Sequence, residues 1–81
     1  MQVENIAYRI AEEVRQITGK HVMPLAALCD RGLFDLGIES HHLGPLLASI
    51  NKCFGVELAI TDFFDYPNIN KLAALVNARA N

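Results

Sequence analysis

The chain has 81 residues, 52% of them hydrophobic and only 7% aromatic, with no tryptophan. That is one domain, 1–81, too apolar for a disordered tail, whose small core is built mainly from Leu, Ile, Val and Ala. Nine acids against seven bases give a net charge of −2, which excludes the concentrated basic face of a nucleic-acid binder, and no apolar run approaches the roughly 20 residues that cross a bilayer.

The N-terminal "MQVENIAYRIAEEV" places acids early and has no apolar h-region, so it is not a signal peptide and a cytoplasmic protein is expected. Val3, Ile6, Ala7, Ile10, Val14 and Ile17 keep the i, i+3, i+4, i+7 spacing of one helical face. Gly19 supplies a stop of the kind found just past helix ends. Residues 19–39 contain Gly19, Pro24, Gly32 and Gly37 and keep no period. They read as a long connection, with "PLAALC" compatible with one helical turn. Loops of this length are uncommon in compact domains and are usually functional. Val22, Leu25, Leu28, Leu33, Phe34 and Leu36 are expected to pin it to the bundle.

The second helix begins near Ser40, with Leu43, Leu46, Leu47, Ile50 and Phe54 on its buried face and Gly55 at its end. Pro45 is awkward inside it and predicts a late start or a bend near Gly44. "VELAI" is short and extended. "TDFFDYP" gives one helical turn, capped by Thr61 or Asp62 and closed before Pro67. Asn68 caps a last helix, in which Ile69, Leu72, Ala73 and Val76 form a stripe with Leu75 beside it. The fold class is therefore all-α, a four-helix bundle of three main helices and one short one, with a long loop between the first two. Cys29 and Cys53 lie 24 residues apart with no C-x-x-C pair and are expected to remain reduced thiols. The initiating Met1 favours a complete small protein.

Glu39, Ser40, His41 and His42 look like parts of a catalytic centre. A nucleophilic serine needs a base within hydrogen-bond reach and a third group to orient that base. Neighbouring side chains on a helix point about 100° apart, and the serine elbow G-x-S-x-G is absent. The same divergence argues against one metal ion held by His41 and His42, and His21, Cys29 and Cys53 show no ligand spacing. On residue type alone Ser40 is an N-cap. What a cap does not explain is the long pinned loop that delivers an exposed serine to a helix start, as a site of covalent modification requires.

"LFDLGIES", "LLASINKCFGVEL" and "TDFFDYPNINKLAALV" together resemble the acyl and peptidyl carrier proteins. The family pattern is a leucine-glycine pair, a variable residue, Asp-Ser, a helix ending in Phe-Gly, an acid-rich turn with proline, and a last helix containing Leu-Ala. The motifs cover about residues 33 to 76. The resemblance implies a non-catalytic carrier whose serine, here Ser40, bears 4′-phosphopantetheine derived from coenzyme A. The prosthetic thiol then holds an acyl, aminoacyl or peptidyl thioester. It also implies a phosphopantetheinyl transferase, a loading enzyme and downstream synthase or tailoring enzymes as partners, with recognition residues Asp35, Gly37, Glu39, His41, His42 and Leu43. No nucleic acid, membrane or metal is expected, and the carrier alone is expected to be a monomer.

The chain departs from the pattern in places. Glu39 replaces the usual aspartate, His41 stands where an aliphatic residue follows the serine, and Gly44 and Pro45 replace ordinary helix formers. From Ser40 to Phe54 the only formal charge is Lys52, unlike the acidic second helix of fatty-acid carriers. Its exposed face must then be read by shape, apolar contact and polar groups such as His42, Ser49 and Asn51. "FFDYPNINKLA" looks closer to the carriers of polyketide and nonribosomal peptide assembly. The alternatives are a fatty-acid carrier or a helical interaction module without a prosthetic group.

Overall fold

The computed structural model describes residues 2–19 and 32–80. The first helix, α1 (Val3–Thr18), closes on Gly19, whose N–H donates to the Arg15 carbonyl at 2.8 Å. Ile6, Ala7, Ile10, Ala11 and Val14 are buried along its length, and Ile17 packs against the core at its end. Val3, the first residue of α1, departs from the expected buried face and stays exposed. "PLAALC" and the apolar residues Val22, Leu25 and Leu28 lie outside the described residues, as do His21 and Cys29.

The chain continues as a 3-10 turn (Phe34–Leu36), α2 (Ser40–Phe54), the one-turn α3 (Asp62–Asp65) and α4 (Ile69–Ala80). α1 packs against both α2 and α4. Leu43, Leu46 and Ile50 carry the buried face of α2, with Leu47 and Phe54 half-buried at its margin. On α4 the buried residues are Ile69, Leu72, Ala73, Leu75 and Val76. Among the described residues no polar or charged side chain is buried, so the core between the helices is apolar. The polar contact of Arg9 with Cys53 between α1 and α2 lies at the surface. The all-α bundle with one short helix is as the sequence predicts.

Several local features differ from expectation. α2 runs without interruption from Ser40 through Pro45, so the helix does not start late. Pro45 is exposed and costs α2 the bond its N–H would have made to the His41 carbonyl. Phe34 does not pin the loop to the core, because its ring is 46% exposed. Leu33, Leu36 and Ile38 do that work instead. Asn51 is not free for partners. Its side chain accepts the Leu58 N–H at 2.9 Å and donates to the Leu58 carbonyl at 3.3 Å. That amide stands in for a neighbouring strand and fixes the extended connection between α2 and α3, where Val56 and Leu58 are buried.

At α3, Thr61 takes the cap position but its hydroxyl makes no capping bond. Asp62 reaches back to accept the Ala59 N–H at 2.9 Å. Asn68 caps α4 as predicted, accepting the Lys71 N–H at 2.8 Å. The end of the long loop is tied to this cap region, since Leu33 N–H donates to the Pro67 carbonyl at 2.8 Å and Gly32 forms an isolated bridge with Asn68.

Candidate functional site at the start of the second helix

The approach to α2 is set by one glycine and three buried side chains. Gly37 sits at φ 91°, a left-handed conformation that only glycine adopts at little cost, and this turns the chain out of the 3-10 turn. Ile38 N–H then donates to the Leu33 carbonyl at 3.3 Å. With Leu33, Leu36 and Ile38 all buried, the next residues must emerge at the surface. Glu39 is extended, at φ −112° and ψ 170°, and Ser40 opens the helix.

Ser40 is the first helical residue and not the cap. The cap is Glu39, whose N–H donates to His42 Nδ1 at 2.9 Å while its side chain takes the His42 N–H. This is a capping box with histidine where Glu or Gln usually stands. The box needs a polar side chain three residues on to return the bond. Counting from Glu39 that residue is His42; counting from Ser40 it is Leu43, which has nothing to return. An acceptor role at Nδ1 places the hydrogen of the neutral His42 ring on Nε2.

The two histidines are also closer than helical geometry alone predicts. Their ring centroids are 4.0 Å apart and tilted by 46°. The Cα–Cβ bonds diverge, but both side chains bend towards Glu39. His42 is drawn by the Glu39 N–H, and His41 Nδ1 lies 3.5 Å from Glu39 Oε2. Donor atoms of Glu39, His41 and His42 fall within 4.8 Å of one another. A metal that took His42 Nδ1 would have to displace the capping bond, so the cluster's first role is to cap.

The geometry offers no serine–base pair. The Ser40 hydroxyl is exposed and makes no hydrogen bond among the described residues. Asp35, Glu39 and His41 are exposed around it in sequence, and Gly37 and His42 are half-buried. Leu43 does not join them at the surface, because it is buried in the core. The first backbone N–H groups of a helix have no intrahelical partner and face outward, at the positive end of the helix dipole. The cap uses the His42 N–H but leaves those of Ser40 and His41, so a phosphate ester on Ser40 fits this end by charge and by the two remaining donors.

Sequence reasoning missed the surface pair Phe34 and Phe64, stacked with centroids 5.7 Å apart. The available signal was "FF" in a one-turn helix. Adjacent residues cannot both face the core, so Phe63 is fully buried and Phe64 is 59% exposed.

A family model described as the phosphopantetheine attachment site matches residues 9–76. No curated protein and no solved structure gives a significant match.

Proposed function

The chain belongs to the phosphopantetheine attachment site family, and from that premise we propose that Ser40 is the residue that carries 4′-phosphopantetheine. The observation that carries this reading is the division of labour at the start of α2. Glu39 and His42 cap the helix between them, which leaves the serine hydroxyl exposed, rigidly placed and uncommitted.

The prosthetic group supplies a thiol that holds cargo as a thioester, and the protein supplies its placement and recognition. Ser40 Oγ would attack the pantetheine-side phosphorus of coenzyme A, and the pyrophosphate P–O bond would break to release adenosine 3′,5′-bisphosphate. The serine proton would leave to a base on the transferase, because no residue beside it is oriented to take it. The Ser40 and His41 N–H groups, which the Glu39–His42 cap leaves unused, would hold the negative phosphate, and the Glu39 carboxylate offers partners a fixed charge beside it. The chain itself is a non-catalytic carrier, acted on by a phosphopantetheinyl transferase, a loading enzyme and downstream synthase or tailoring enzymes.

The pathway we favour is polyketide or nonribosomal peptide assembly, with acyl or aminoacyl cargo. In support, α2 bears no acid after Glu39, and its only formal charge is Lys52. A fatty-acid carrier would be expected to present acids there. No helix among the described residues is long and apolar enough to cross a membrane, and a monomer placed freely between partner enzymes suits the shuttle role.

The test is incubation with coenzyme A and a broad-specificity phosphopantetheinyl transferase, read by intact mass. A gain of one phosphopantetheine unit supports the carrier. An unchanged mass, with the transferase active on a control carrier, would leave the chain as a helical interaction module.

A further inference from the structure

Phe34 and Phe64 stack on each other in the open. Ile60, four residues before Phe64 at the turn into α3, is also exposed. Among the described residues the large exposed apolar side chains are these three and two on α1, Val3 and Tyr8. The 3-10 turn and α3 are not brought together by the rings alone. The Leu33 N–H to Pro67 carbonyl bond and the Gly32–Asn68 bridge clamp the backbones just outside them. The result is a preformed apolar platform, which needs no reordering when something settles on it.

Among the described residues, the charged side chains next to the two rings in the chain are acidic. Phe34 is followed by Asp35 and Phe64 by Asp65, both exposed. The neighbouring side chain points about 100° away on a helix, so each acid flanks its ring and does not cover it. Glu39 is exposed further along the same approach to Ser40. Among the described residues no Lys or Arg occurs from 32 to 51. Lys52 stands at the far end of α2, about 18 Å along the helix axis from Ser40, and Lys71 is the nearest described cation beyond α3.

An aromatic face beside a carboxylate suits a guanidinium. Arginine stacks on the ring through its flat face and pairs with the carboxylate through its edge. Phe34 lies six residues before Ser40 on the turn that leads into α2, so this segment is the one an enzyme acting at Ser40 meets on the N-terminal side of the serine. We propose that the Phe34–Phe64 platform, rimmed by Asp35 and Asp65, is the docking surface for an arginine-bearing patch of the phosphopantetheinyl transferase. This inference rests on the assignment of Ser40 as the attachment residue.

The experiment measures kcat and KM for loading of the apo-protein, with coenzyme A and a broad-specificity transferase as the probe. Phe64→Ala is expected to raise the KM for the carrier about tenfold, as removal of an aromatic anchor does. The double variant Asp35→Asn with Asp65→Asn keeps the rings in place and is expected to raise it about threefold, with the rise vanishing at high salt. Tyr8→Ala, an exposed aromatic on α1, is expected to change nothing, and kcat should stay within about twofold throughout. Unchanged KM in the aspartate double variant and in Phe64→Ala, with normal loading of the wild type, would overturn the docking surface and leave Ser40 intact. If Phe64→Ala loses its helical circular dichroism, the aspartate variant decides alone. A wild type that takes up no phosphopantetheine overturns both the surface and the attachment site. A concentration-dependent dimer abolished by Phe64→Ala would assign the platform to a second copy of the chain and also overturn the proposal.

Discussion

The Ser40 hydroxyl is available because two other residues share the capping of α2. Glu39 takes the cap position and His42 returns the bond through Nδ1 at 2.9 Å. Loss of the returning arm should cost roughly 0.5–1 kcal/mol, the usual scale for a cap contact at an exposed helix start. His42→Ala is therefore expected to lower the unfolding free energy measured by urea titration by that amount, and His42→Gln to recover most of it, because glutamine is an ordinary partner at this position. Equal losses in both variants would mean that the ring packs and does not cap. Replacing both His41 and His42 by alanine should still allow loading by a permissive transferase, since neither ring is placed as a base for Ser40. Complete loss of loading with the helical spectrum intact would contradict that. The sequence carried the residue types of this corner but not their arrangement. Serine is a better cap than glutamate by type, and only the three-residue reach from Glu39 to His42, against Leu43 from Ser40, reverses the order.

At the scale of elements, the helices with strong apolar stripes were legible and the connections were not. Val3 to Ile17 and Ile69 to Val76 show one buried face each because a period of 3.6 can be counted, and Asn68 caps α4 by the bond its residue type suggests. Phe34 departs from its expected burial because apolarity alone does not fix burial. A ring can instead cover a second ring at the surface, which no periodicity reveals. Asn51, which residue type suggests as a polar contact for partners, is the clamp between α2 and the extended segment that follows. Its amide makes two bonds to the Leu58 backbone, at 2.9 and 3.3 Å, in a part-buried setting. Asn51→Ala should destabilise the fold by about 1–3 kcal/mol, because it leaves a buried backbone pair unsatisfied. Asn51→Asp, which can accept the Leu58 N–H but not donate to its carbonyl, should fall between. Chemical denaturation orders the three proteins, and an alanine variant as stable as the wild type would show that water replaces the clamp without cost.

For the whole molecule, an apolar bundle without buried polar side chains among the described residues acts as a scaffold that brings one serine to the surface. α1 packs against α2 and α4, the buried Leu33, Leu36 and Ile38 draw the loop onto that core, and Gly37 turns it outward just before the helix begins. The chemistry then arrives from outside, on a prosthetic group that another enzyme attaches. The most direct test of this account is to locate the modification itself. Wild type, Ser40→Ala and Ser49→Ala are incubated with coenzyme A and a permissive transferase, and the modified peptide is sequenced by tandem mass spectrometry. The account predicts one phosphopantetheine on Ser40 in the wild type and in Ser49→Ala, and none on a Ser40→Ala protein that keeps its helical spectrum. A Ser40→Ala protein that still acquires the group, at Ser49 or elsewhere, would contradict it.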